Sequence, residues 1–461
     1  MPPRQLSVTQ PPTPKLTVTV IGAASTTFGP KVLRDILNFP EVGGCTFNFV
    51  DTNAERLDIY DRLARRVNEQ LKTPVTLRSG LKRRDLLAGS DYVVLSVDTG
   101  HYDTWEQDFK VPNAHGYRQV LGELGGPGGL FHTLRQVPLH LEIARDVEEL
   151  CPNATVMVAS NPLNRVCLAL ERHANLKQVV GLCHGVEMAL YLFLNRVLEI
   201  DGDDLQALAA GTNHLTWLLE LRRKSTGEDL YPFMREKLGK LSADEEGLSR
   251  KLLDVYGYLP ATLDSHAGEY LPFAHEFAGA DGINFDEHRK QERQRWDYLR
   301  RLADDEAEWD RYEAHYGSQE GLSEELRLDP FFAPRNWADT LAFPILAAVV
   351  TNKRAWLPAV NLLNQGAISN LPADVFVEAP AVANSTGVHL QHVGPLPKPL
   401  AAFNRRDVDQ TELSVEAAVT GRRGDILKAM LLDPTVRSVR AAETTLDTLL
   451  KAHARHLPQV A

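Results

Sequence analysis

The sequence predicts an α/β fold: a Rossmann-type, doubly wound parallel sheet fused to an α+β C-terminal part. Three observations carry this. Short β-branched runs alternate with amphipathic helical patterns up to about residue 200. The first run ends in a small-residue turn that opens a helix. Polar residues stand just after the runs, at Ser25, Asp51, Asp98, Asn161 and Cys183. In a parallel sheet these gather along one edge, where ligands bind.

Lys15–Gly22 reads as a buried first strand. Gly22-Ala-Ala-Ser-Thr-Thr-Phe-Gly-Pro follows, then Val32, Leu33, Ile36 and Leu37 at helical spacing. Thr46–Val50 is a second strand, ending at Asp51. This is the order of parts of a dinucleotide fingerprint. Asp51 would take ribose hydroxyls. The turn from Gly22 through Ala24, Ser25 and Thr26 would face a pyrophosphate at the helix start. Ala24 stands where a second glycine is expected, and the distance to Asp51 exceeds the usual roughly 20 residues. On these residues alone, a doubly wound domain without a dinucleotide stays open.

Asp91–Val97, Ala154–Ser160 and Gln178–Leu182 read as further strands, with helices at Asn53–Leu71 and Leu130–Glu149. Asp103–Leu130 breaks the rhythm. Its aromatic and charged residues and its Gly-Gly-Pro-Gly-Gly end read as a long substrate loop or lid. Beyond Asp201, a strand-like segment at 207–221 carries Thr212-Asn-His. Arg222–Glu246 and Glu287–Glu320 are charge-rich and mostly helical in pattern. Thr340–Thr351 is an apolar helix, and Leu413–Thr420 and Gly424–Leu432 are helix candidates in the tail. The expected division is a disordered, proline-rich lead-in at 1–14, a dinucleotide-binding domain at 15–200 and an α+β domain at 201–461.

Composition narrows the class. The chain has 461 residues, 43% hydrophobic and 24% charged, as in soluble globular proteins. A net charge of -11 without a long basic run argues against a nucleic-acid partner. Cys45, Cys151, Cys167 and Cys183 form no C-x-x-C pair or disulfide scaffold, so a reducing, cytoplasmic setting is expected. No secretory signal and no membrane-length apolar run is present, so no membrane partner is expected.

Val179–Glu187 (Val-Val-Gly-Leu-Cys-His-Gly-Val-Glu) reads as strand, corner and helix start. It places the Cys183 thiol and the His184 imidazole at the strand's carboxyl end. A buried apolar thiol and a ligand are both open readings of Cys183. Three more polar clusters ask for the same explanation: Asn161-Pro-Leu-Asn, Thr212-Asn-His and Asp264-Ser-His-x-x-Glu-Tyr.

With the N-terminal turn and Asp51, the order of these clusters resembles glycoside hydrolase family 4, from about Lys15 to Pro434. Asn361-Leu-Leu-Asn-Gln-Gly and Val377-Glu-Ala-Pro extend the match. The resemblance implies a fold like that of lactate and malate dehydrogenases, and an NAD- and divalent-metal-dependent glycosidase. Hydride leaves sugar C3, a base takes the C2 proton, the aglycone leaves from C1, water adds and the hydride returns. Residue by residue, Cys183 and His214 match the metal ligands, usually of Mn2+, although a thiolate is a soft partner for that ion. Asp264 matches the base, with Tyr258 as rival. His184 is the candidate acid for the leaving oxygen, or else a donor that only orients the site. Asn161 matches a residue touching both sugar and nicotinamide, and Asp98 joins the cofactor set. Glu123, Arg165, Asn213 and His266 are carried over as substrate residues.

The Asp-x-His-x-x-Glu-Tyr pattern and Gly257-Tyr-Leu-Pro resemble the branch acting on unphosphorylated sugars, its α-galacturonidases above all, or the related NAD-dependent sulfoquinovosidases. The expected substrate is therefore an α-linked acidic hexoside. Lys110, Arg118, Arg135 or Arg165 would hold its C6 anion. The resemblance also implies a homodimer or homotetramer. An NAD-dependent dehydrogenase of a hydroxy acid or polyol, and a non-catalytic NAD-binding protein, are the competing functions.

Overall fold

Buried β-branched runs set the first half of the sheet. The computed structural model describes residues 15–69, 71–72, 74–242, 244–278, 282–314 and 340–460. The lead-in expected at 1–14 and the 315–320 end of the charge-rich stretch lie outside the described residues. Strands β1 (Thr17–Ile21), β2 (Thr46–Val50), β3 (Thr76–Gly80), β4 (Tyr92–Leu95), β5 (Thr155–Val158) and β6 (Gln178–Gly181) pair in parallel. Their order is β3-β2-β1-β4-β5-β6, that of dinucleotide-binding sheets. β4 and β5 are buried at every residue, as strands covered on both faces are.

Helices cover the two faces. On one lie α1 (Gly29–Asn38) and α2 (Ala54–Glu69), whose apolar stripes meet Phe47 and Phe49. Phe343 stacks on Phe47 with ring centroids 5.9 Å apart. On the other face lie α4 (Gly126–Leu150), α5 (Leu163–His173) and α9 (Lys398–Thr420). The tail helix is thus longer than its expected span, 413–420.

The sheet does not stop at β6. Antiparallel β10 (Ala355–Leu363) adds to it through the pair Asn361↔Gly181. Then come β11 (Phe376–Asn384), β7 (Leu205–Thr212), β8 (Leu215–Arg223) and β9 (Leu259–Pro260), with β12 (Gly387–Leu390) beside β11. The strand-like segment at 207–221 is a hairpin, β7–β8, that turns at Asn213-His214. Both halves of the chain therefore share one sheet.

Two expectations are corrected. Asp103–Leu130 is mostly helical: α3 (His101–Ala114) is followed by a loop only at 115–125 before α4. Trp105 and Phe109 give α3 an apolar side, with rings 5.2 and 5.9 Å from Phe285 at the start of α7 (Phe285–Asp304). Within Arg222–Glu246 only Tyr231–Leu238 is helical, because β8 runs on to Arg223. Among the described residues no helix is long and apolar enough to cross a membrane.

Candidate active site

The carboxyl ends of β1, β2, β4 and β5 open onto a cleft of about 800 Å³. Gly22, Ala24, Ser25, Thr26, Asp51, Asp98, Glu123 and Asn161 all line it. Gly22 sits at φ +83, and a Cβ there would lie 2.0 Å from the Ser96 carbonyl oxygen, so only glycine fits the turn. The turn uses most of its own amides. Gly22 and Ala23 N–H donate to Val50 O, Ser25 N–H to Gly22 O, and Ala24 N–H to Asp51 Oδ2 at 3.1 Å. The N–H groups of Thr26 and Thr27 have no partner among the described residues, and they stand just before α1. These two amides lie at the end of the turn, one inside and one just beyond the expected span Gly22–Thr26.

Asp51 is tied at both oxygens, accepting from Ala24 N–H and from Asn53 N–H at 2.9 Å. Its remaining lone pairs face the cleft. Thr26 is engaged from outside the motif: its hydroxyl donates to Glu292 (2.8 Å) and accepts from Trp296 Nε1 (2.9 Å). Glu292 also binds Arg56 at 2.9 Å. Helix α7 therefore forms one wall of the cleft, which nothing near residue 292 signals in the sequence.

Asp98 accepts from Thr99 N–H and Gln136 and pairs with His101 (3.3 Å) and His132 (3.5 Å). Burial would raise its pKa, but the two histidines outweigh that and hold it well below the usual range. Burial likewise opposes charge on His132, and Asp98 overcomes it. His132 Nδ1 lies 2.9 Å from the Glu123 carbonyl oxygen.

A second locus lies where β6, β10, β11 and β7 adjoin. Cys183 follows β6, and its Sγ accepts from Gly185 N–H at 3.4 Å. Burial pushes the Cys183 thiol well up, helped by the nearby Glu378 carboxylate. Glu378 is fully buried on β11 and paired opposite Gly211. It accepts from Asn213 (3.3 Å), Asn361 (3.0 Å) and Thr216. These bonds offset a burial cost that an isolated carboxylate would not survive, and they tie β11 to β10 and to the β7–β8 hairpin. His214 occupies the hairpin turn at φ +63, unusual for a residue other than glycine. Its carbonyl accepts from Thr262 Oγ1 at 2.7 Å. Its Nδ1 is buried with no hydrogen-bond partner among the described residues. Burial, then the nearby His266 and His184, hold its pKa well below the usual value, so the imidazole is neutral and able to ligate.

His266 meets His214 edge-on, ring centroids 4.4 Å apart, and its pKa is lowered by burial. Glu123, whose Oε1 accepts from Asn161 at 2.9 Å, opposes that lowering. Glu123 thus joins the cleft to the second locus.

Asp264 is placed otherwise. Its Oδ2 and Oδ1 accept from Leu248 N–H (2.9 Å) and Ser249 N–H (2.6 Å), which caps α6 (Gly247–Tyr256). Each oxygen accepts one backbone bond, which ties the side chain to the start of α6, and Asp264 does not line the cleft. Tyr258 packs against Tyr231. Arg165 is buried, donates to Thr133 at 2.9 Å and does not line the cleft. Its charge is shared with Asp407, whose pKa burial raises to about 6. Arg135 is locked to Asp108, and Lys110 pairs with Glu106. Arg118 is exposed. Two buried acids were not among the site residues read from the sequence: Glu378, and Glu187, whose charge bears on Cys183 and Glu378. The signal was available in each case: an acid within an otherwise apolar run.

The donor set at the second locus fits a metal. The orphaned His214 Nδ1 and the Cys183 sulfur are the two protein atoms on offer. Among the described residues no cluster of three or more histidine, cysteine or acidic side chains could hold an ion. A ligand's own oxygens would have to complete the shell.

Residues 17–199 match the sequence model of the Family 4 glycosyl hydrolases, and residues 209–436 match that of the Family 4 glycosyl hydrolase C-terminal domain. The chain belongs to family 4 of the glycosyl hydrolases. This hydrolase is 30% identical to an alpha-galactosidase of Bacillus subtilis over 96% of its own length and 99% of the relative's. It is 28% identical to an alpha-galacturonidase of the same organism, covering 79% of this chain and 82% of that one. A crystal structure of a 6-phospho-alpha-glucosidase from gut microorganisms, in complex with NAD and Mn2+, superimposes with a TM-score of 0.80. That superposition spans 97% of the hydrolase and all of the other chain at 19% identity, and so speaks for the fold.

Proposed function

We propose that this family 4 hydrolase cleaves an α-linked hexoside with NAD and a divalent metal, Mn2+ by preference, and that both return unchanged. One observation carries the reading. Glu123 bonds Asn161 in the dinucleotide cleft and lies close enough to His266 to shift its titration, while His266 rests on His214. A sugar lodged there would present one face to both loci. When bound, NAD would supply a reversible hydride acceptor and the divalent metal a Lewis acid. Cys183 and His214 hold the ion. Asp51 and the Thr26 and Thr27 amides hold the dinucleotide at one end. Asn161 and Glu123 orient the sugar hydroxyls. His266, whose pKa burial lowers, is the group proposed to take the C2 proton, and His184 the one proposed for the leaving oxygen.

For the sugar itself, an acidic C6 substituent remains the first choice. Its support is the similarity to an alpha-galacturonidase and the cationic pair Arg165 and Arg406, both of which bear on Asp407. A neutral α-galactoside is the second reading. It is favoured by Asp407 itself, which already shares the charge of both guanidiniums. A panel of aryl α-glycosides, neutral, carboxylated, sulfonated and 6-phosphorylated, each with NAD and Mn2+, tests both. Turnover with no net NADH, abolished by chelator, is expected. Accumulation of NADH sinks the glycosidase mechanism in favour of a dehydrogenase. Equal turnover of neutral and acidic sugars removes the acidic preference.

A further inference from the structure

Glu269 is almost fully buried at the end of the Asp264-Ser-His-x-x-Glu-Tyr run, yet nothing above uses it. Its Oε1 accepts from Glu123 N–H and its Oε2 from Leu124 N–H, both at 2.9 Å. The loop backbone is pressed against the same segment. A Cβ at Gly125 would lie 2.0 Å from the Glu269 carbonyl oxygen, and one at Gly129 would lie 2.2 Å from Leu124 O. From the other side His132 Nδ1 holds the Glu123 carbonyl. Glu123 is thus fixed at its N–H, its C=O and one carboxylate oxygen. The last of these bonds is the one to Asn161.

We infer that Glu269 is a positioning residue: its carboxylate clamps the Glu123–Leu124 backbone and so aims the Glu123 carboxylate between the dinucleotide cleft and His266. The inference rests on the reading that Glu123 meets the sugar. The clamp is built from two backbone hydrogen bonds in a water-excluded place, and they are charge-assisted only while Glu269 is ionised. An amide in its stead keeps one acceptor and turns an N–H toward an N–H. Burial, then the Glu123 charge, lifts the Glu269 pKa to about 8, and the backbone N–H groups of the loop oppose that rise.

The test compares wild type with Glu269→Gln, Glu123→Gln, the double variant and Gly125→Ala. Gly125→Ala pushes the loop off the clamp from its other side without changing any charge. Amide exchange at Glu123 and Leu124 is measured first, since it needs no substrate. Slow exchange in wild type and fast exchange in Glu269→Gln and Gly125→Ala is expected. In turnover of the best glycoside, Glu269→Gln should lose about tenfold or more in kcat/KM, the scale of a misplaced reacting group. In the Glu123→Gln background the same change should cost less than about threefold, because the two act as one unit. Gly125→Ala should follow Glu269→Gln in both readouts. Additive losses, or unchanged exchange at 123–124, overturn the inference. A wild type that cleaves none of the glycosides while those amides stay protected overturns the proposed function and leaves the clamp standing.

Discussion

Asp264 shows how much a single carboxylate's surroundings decide. Its residue type and its place beside His266 suit a general base, yet two backbone N–H groups of α6 occupy its oxygens. Asp264→Asn should therefore act on stability. One of the two capping bonds is lost, so unfolding free energy should fall by about 1 kcal/mol. Turnover per folded molecule should stay within about threefold of wild type, against a loss of roughly 100-fold or more for a removed base. Urea unfolding and active-site-normalised kcat decide between them. The sequence could not have shown this, because the bonded Leu248 stands 16 residues earlier and only the folded turn brings the two together. Cys183 and His214 were easier. Both sit in short polar motifs: the thiol stands just after a strand, as read from Val179–Glu187, whereas the histidine, read within a strand-like segment, stands in the turn of the β7–β8 hairpin. Glu378 was harder, since its value lies in contacts with Asn213 and Thr216 on one other stretch of chain and Asn361 on a second.

At the scale of elements, the parallel strands were legible because burial on both faces leaves unbroken apolar runs. The antiparallel strands β10 to β12 were not separated from the helical tail, and β3, with only partly buried Thr-Leu-Arg-Ser-Gly, gave little pattern at all. Helix α1 carries a buried group whose effect can be measured. Asp35 accepts from Thr340 N–H at 2.7 Å, which joins α1 to the entry of α8 (Ala342–Thr351). Burial raises its pKa from 3.8 to about 7. Between those values the folded chain holds the proton more tightly than the unfolded one, so stability falls as pH rises through the window. The slope this residue contributes is on the order of 1 kcal/mol per pH unit. Unfolding free energies at pH 5 and pH 7.5 should converge in Asp35→Asn relative to wild type. An unchanged difference would show that Asp35 stays ionised in the folded chain.

Across the whole molecule, the tail is tied back to the cofactor side by a buried charge group. Arg135 on α4 binds Asp108 on α3 through both nitrogens (3.1 and 2.5 Å), and His453, just after α10 (Val439–Ala452), lies 2.9 Å from the same carboxylate. Asp108→Asn should cost about 3–5 kcal/mol, since it leaves a guanidinium without its counter-charge. Combining Asp108→Leu with Arg135→Met should recover most of that. If the single variant unfolds like wild type in guanidinium, the group is not what fastens the tail.

The single sheet also has a consequence for how the chemistry is gated. Residues before and after position 200 meet through backbone pairs at Asn361↔Gly181 and Glu378↔Gly211, beside the two corners that carry Cys183 and His214. The interval between the dinucleotide edge and those corners is a count of strands and registers, and strands do not stretch. Such a site works as a fixed ruler and not as a jaw. New sugars would have to be accommodated by changing what stands on the ruler, its loops and side chains, while the interval between the dinucleotide edge and those corners stays the same.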